Sequence, residues 1–124
     1  MTQEEKDLLL KDLCARLPYG VKCKSKYFTN DTLSGIIIDE GETVFNFSVN
    51  NEGFIIQLYI SGIKPYLFPL SSMTEEQKTS HNFLKNSAYA NPIKLINFYH
   101  KNHFDYNGLI PKGLANDATG LNIY

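Results

Sequence analysis

Thr43-Val44-Phe45-Asn46-Phe47-Ser48-Val49, then Asn50-Asn51-Glu52-Gly53, then Phe54-Ile55-Ile56-Gln57-Leu58-Tyr59-Ile60: the fold turns on this stretch. Phe45, Phe47 and Val49 alternate with Asn46 and Ser48, a period of two that gives a strand one apolar and one wet face. The four residues between the two runs are turn formers. So short a connection joins antiparallel neighbours, because a parallel crossover needs a dozen or more residues. The second run is apolar on both faces except at Gln57, a pattern that predicts a central place in the sheet.

Working outward, the same signals recur on the N-terminal side. Leu33–Ile38 ends at Asp39-Glu40-Gly41. Val21, Cys23, Ser25 and Tyr27 alternate with Lys22, Lys24 and Lys26, so a half-exposed strand is predicted near 21–27. Ahead of it, Thr2 and Glu5 form a capping box that starts a helix over 3–17, with Leu9, Leu10, Leu13, Cys14 and Leu17 on one face. Pro18-Tyr19-Gly20 stops that helix. On the C-terminal side, Gly62–Leu70 holds Pro65 and Pro69 and reads as an extended crossing segment. Ser72 and Glu75 form a second capping box, opening a polar surface helix over 73–86. Asn91-Pro92 opens a third helix over 92–103, carrying Ile93, Leu95, Ile96, Phe98 and Tyr99.

These readings predict an α+β fold over a single domain, residues 1–124. Four antiparallel strands (near 21–27, 33–38, 43–49 and 54–60) form a meander, with one N-terminal and two C-terminal helices over one face. Leu13, Cys14, Phe45, Phe47, Ile56, Leu58, Ile96 and Tyr99 are the expected core. The tail, 104–124, alternates Gly and Asn with apolar residues and is expected to fold against the domain, since a disordered tail would be charged and poor in aromatics.

Composition narrows the function. The chain has 124 residues, 43% hydrophobic and 20% charged, which suits one domain with its own core. A net charge of −1 gives no global attraction to nucleic acid or an anionic membrane. No apolar run approaches the roughly 18 residues that span a bilayer. The acidic start Met1-Thr2-Gln3-Glu4-Glu5 is unlike a signal peptide, so a cytoplasmic setting is expected. There Cys14 and Cys23 would stay reduced; their spacing matches no zinc or redox motif and suits two small buried residues.

Two segments carry a resemblance. Ile63-Lys64-Pro65-Tyr66-Leu67-Phe68-Pro69-Leu70-Ser71-Ser72-Met73-Thr74-Glu75-Glu76-Gln77 is one; His103-Phe104-Asp105-Tyr106-Asn107-Gly108-Leu109-Ile110, continuing through Lys112-Gly113-Leu114-Ala115, is the other. Together they resemble a family of small proteins from Bacteroides-type gut bacteria and their phages or mobile elements. The resemblance covers about the last half of the chain. It implies a bacterial or phage cytosolic setting and no particular activity. Phe68 and Asn107 stand where the family's pattern has Arg, which argues against anion binding there; His100 lies outside the pattern.

Three groups of residues could carry chemistry. His100 and His103, one helical turn apart, with Asp105 following and His81 in reserve, could ligate a metal. Against that, they match no zinc motif, no Glu stands where a general base would be needed, and His103 would sit in an apolar stripe. Lys22, Lys24 and Lys26, beside Tyr27 and Phe28, could follow a phosphate backbone while the aromatics stack on bases. Lysines on a strand also discourage edge-to-edge aggregation. Asp39, Glu40 and Glu42 around Gly41 lack calcium-loop spacing and read as a solvated hairpin tip. No nucleophile motif, phosphate loop or dinucleotide fingerprint occurs. The expectation is therefore a non-catalytic interaction module with a protein partner and no cofactor, an accessory protein of a bacterial or mobile-element system. Nucleic-acid binding through the lysine strand is the alternative, and a metal-dependent enzyme at the histidines comes third.

Overall fold

The computed structural model describes residues 1–39, 41–49 and 54–124; residue 40 and residues 50–53, where the sequence predicts a turn, lie outside the described residues. Helix α1 (Gln3–Arg16) begins at the expected capping box. The Glu5 N–H donates to Thr2 Oγ1 at 3.1 Å, and the Thr2 N–H donates to Glu5 Oε1 at 2.9 Å. Its buried residues are Leu9, Asp12, Leu13 and Arg16, so the inward face is turned toward a polar pair and Cys14 is left exposed. That corrects the expected burial of Cys14.

Strands β1 (Lys22–Lys24), β2 (Asp31–Asp39), β3 (Glu42–Val49) and β4 (Phe54–Tyr59) pair antiparallel in sequence order. The sheet does not stop there. β5 (Lys64–Leu67) joins β1 antiparallel, and β6 (Asn116–Asp117) joins β5 parallel. The result is a six-stranded mixed sheet of order β4-β3-β2-β1-β5-β6, not a four-stranded antiparallel one. Pro65 disguised β5, because proline lacks the N–H that a ladder uses. β6 pairs only with Tyr66 and Leu67, so the missing N–H of Pro65 leaves no β6 bond unmade. The two residues of β6 carry no strand signal; their partner is brought by the tail's return, where the Ala118 N–H donates to the Leu67 carbonyl at 2.8 Å.

β4 lies at the edge of the sheet, not at its centre. Its double-sided apolar pattern arises because the outward side chains stay uncovered: Ile55 is 62% and Tyr59 58% exposed. In β2 the register shifts between Leu33 and Gly35, so Leu33 pairs with Phe47 and Ile36 with Phe45. This bulge re-aims the strand. Leu33, Phe45 and Phe47 then point at Leu9 and Leu13 of α1, and Leu109, Leu114 and Ala115 of the tail complete the main core.

Helix α2 (Glu75–Asn86) is capped by Thr74 and Gln77, two residues later than the expected Ser72–Glu75 box. Ser72 instead closes a short 3₁₀ turn, its hydroxyl donating to the Pro69 carbonyl at 2.7 Å. Helix α3 (Pro92–Lys101) starts at Asn91 as expected but ends two residues early. Asn102 Nδ2 donates to the Phe98 carbonyl at 2.9 Å, and His103 turns left-handed at φ 59°, so the helix cannot continue. Tyr99 is buried with Met73 and Phe104 in a second cluster, whereas Ile96, expected in the core, is 37% exposed. Among the described residues no helix is long and apolar enough to cross a membrane.

Candidate functional site

The most buried polar chemistry joins α1 to the tail. Asp12 and Arg16, one turn apart, form an ion pair at 2.7 Å with both side chains fully buried. Arg16 Nη2 donates to the Phe104 carbonyl at 2.6 Å, the guanidinium lies over the Tyr106 ring, and Asn107 Nδ2 donates to Asp12 Oδ1 at 2.9 Å. Arg16 Nη1 has no partner among the described residues. Burying two charges costs several kcal/mol each unless they are paired and hydrogen-bonded. The cluster holds the tail against α1.

The residues read as possible metal ligands are spent separately. His100 Nε2 is hydrogen-bonded to the Tyr106 hydroxyl at 2.7 Å, and His81 Nε2 to that of Tyr99 at 2.8 Å. Asp105 accepts the backbone N–H groups of Leu109 and Ile110, one on each carboxylate oxygen, and so anchors the tail's first turn. His103 stacks on Tyr124, ring centres 3.6 Å apart, and its buried Nδ1 has no partner among the described residues. It does not project between Ile96 and Tyr99, because α3 has already ended. No three His, Cys, Asp or Glu side chains converge among the described residues.

Burial lowers the His103 imidazole from its ordinary value near 6.5 to about 4, with nearby Arg16 adding to the effect. The unfolded chain therefore binds a proton between about pH 6.5 and 4 that the folded chain refuses. Stability is full above pH 6.5 and falls as pH drops through that window. The expected loss from this group is roughly 1–2 kcal/mol after discounting for partial solvation. His103→Asn keeps a residue that tolerates the left-handed backbone but does not titrate. Denaturation across pH 4–7 should show a shallower slope for it, with the remainder left to His100, also lowered by burial and Arg16, and His81, lowered by burial and Lys85. An unchanged slope would exclude His103 as a source.

The lysines are divided. Lys22 and Lys24 lie on β1, which ends there; Lys26 is beyond it, its Nζ 4.9 Å from the Tyr27 ring centre. A residue that sequence reading missed joins them. Lys64, on β5, is the register partner of Lys24. Lys24, Lys26 and Lys64 line one cleft of about 340 Å³ with Ser25, Ser61 and Asn116. Only the recognition of Lys64-Pro65-Tyr66-Leu67 as a strand beside β1 would have revealed this.

The face of the sheet turned away from α1 is open over β2–β4. Pairing sets Ile37, Val44 and Tyr59 in one row and Ser48 and Ile55 in another, with Asn46 and Gln57 between. Ile37 is 48% exposed. The Glu42 carboxylate accepts from the Tyr59 hydroxyl at 3.4 Å. Set against protein-family models, curated proteins and solved structures, the chain matches none of them.

Proposed function

We propose that this chain is a non-catalytic interaction module of the cytoplasm, an accessory protein of a bacterial or phage-borne system, which binds a protein partner along β4. The setting rests on the resemblance carried by residues 63–77 and 103–115. The docking site rests on one observation: β4 is an edge strand with no charged residue and no proline, its exposed Ile55 and Tyr59 continuing across Val44 to Ile37. Edge strands are ordinarily guarded by lysine, proline or a bulge. An unguarded one offers its free N–H and C=O groups to an added strand, while apolar side chains select what lies on them. The fitting partner is an uncharged extended segment of another protein. Nucleic-acid binding along Lys22, Lys24 and Lys26 has less support, because the strand ends at Lys24. A metal-dependent enzyme at His100, His103 and Asp105 draws none from side chains already engaged elsewhere.

A photo-crosslinking residue at Gln57, exposed on β4, is expected to trap one protein partner in the native host. The same residue at Lys11, exposed on α1, should trap none. Ile55→Lys with Tyr59→Lys should cut the adduct at least about tenfold, since each buries a charge in the docked state. No adduct at position 57, or one that survives the double change, overturns the reading.

A further inference from the structure

The sheet order removes the ordinary structural reason for lysines on β1. Lysines guard free edges, but β1 is paired on both sides, by β2 and by β5. Lys24 and Lys64 stand directly opposite each other across the β1–β5 ladder. Cβ atoms so placed are about 4.5–5.5 Å apart, and like charges there destabilise the pairing. Lys26 also lines the cleft, with its ammonium over the neighbouring Tyr27 ring, and the remaining polar lining, Ser25, Ser61 and Asn116, is neutral. Among the described residues none of the three lysines is in an ion pair and no carboxylate lines the cleft. A concentration of positive charge held against its own repulsion is relieved by an anion.

We propose that this cleft binds the phosphoryl group of a small phosphorylated ligand. The facing Lys24 and Lys64 supply charge-assisted hydrogen bonds to phosphate oxygens, Lys26 adds positive charge at the rim, and the serine hydroxyls and Asn116 amide can donate to those oxygens that remain. At about 340 Å³ the cleft is near the lower end of small-molecule sites, which run from about 300 to 1,000 Å³. It suits a phosphate or pyrophosphate with a small remainder. A nucleic-acid strand needs a basic groove that tracks several successive phosphates, with aromatics for the bases. Lys22, on the same strand face, does not line the cleft and marks its limit. This site is separate from β4 and stands or falls independently of the docking there.

The test titrates the full-length, isotope-labelled protein with inorganic pyrophosphate at low salt, read by backbone amide signals. Saturable movement confined to residues 24–26, 61–64 and 116, with a Kd below about 1 mM, is expected. Lys24→Gln with Lys64→Gln should weaken binding at least about tenfold, and Lys22→Gln should leave it within about twofold. Lys24 and Lys64 are exposed, so loss of fold does not confuse the result. No saturation by about 10 mM, or equal weakening by Lys22→Gln, overturns the proposal. An eight-nucleotide thymidine oligomer forms the second arm. Binding no tighter than pyrophosphate supports a discrete phosphoryl site; tighter binding makes the surface a nucleic-acid track and defeats it.

Discussion

Deletion of residues 105–124 is expected to leave a chain that no longer melts cooperatively or stays in solution. The segment supplies Leu109, Leu114 and Ala115 to the same cluster as Leu9, Leu13, Phe45 and Phe47, with Leu109 wholly buried. Two large side chains at roughly 1.5–3 kcal/mol each already approach the lower end of a domain's net stability, about 5–15 kcal/mol. The loss extends further. Asn107 and Tyr106 leave the Asp12–Arg16 pair, and β6 leaves β5. At the far end, the Tyr124 hydroxyl donates to the Tyr66 carbonyl at 2.8 Å and accepts the Lys22 N–H, also at 2.8 Å, so the last residue ties β5 to β1. Thermal unfolding followed by circular dichroism reads the result. A truncated chain melting within a degree or two of the full one would show these contacts to be idle.

Arg16→Met should be the costliest single change, at about 3–5 kcal/mol, the range for removing one partner of a buried ion pair. The substitution keeps much of the volume but strands the Asp12 carboxylate, fully buried and left with Asn107 alone. It also orphans the Phe104 carbonyl that Arg16 Nη2 now satisfies. Adding Asp12→Leu removes the stranded charge, and the double variant should recover at least half of the loss, because apolar replacements of buried pairs are often neutral or better. Chemical denaturation gives both numbers. A single-variant loss under about 1 kcal/mol would mean that water reaches the pair. A double variant no better than the single one would assign the cost to packing instead of charge.

Local patterns determined much by themselves. The capping box at Thr2, the Asn91-Pro92 helix start, the alternation in Phe45-Asn46-Phe47-Ser48 and the order of β1–β4 depend on neighbours within a few residues, and each stands in the structure. The position of an element within the sheet is a different kind of fact. β4 reads as central because apolar side chains do not record whether anything covers them. Lys64-Pro65-Tyr66-Leu67 and Asn116-Asp117 have no strand pattern of their own, and only the returning chain makes them strands. The same holds at the candidate sites. Lys24 meets Lys64 because two segments 40 positions apart lie in register. Asp12 and Arg16 lie largely off the apolar face of the helical wheel, and Phe104, Tyr106 and Asn107, about 90 residues away, bury them. His103 leaves its helix because Asn102 caps α3, and Tyr124 then stacks on its ring. Spacing along a chain reports what one element can do with itself. Burial, counter-charge and edge depend on what packs against it, and those the tertiary structure alone decided.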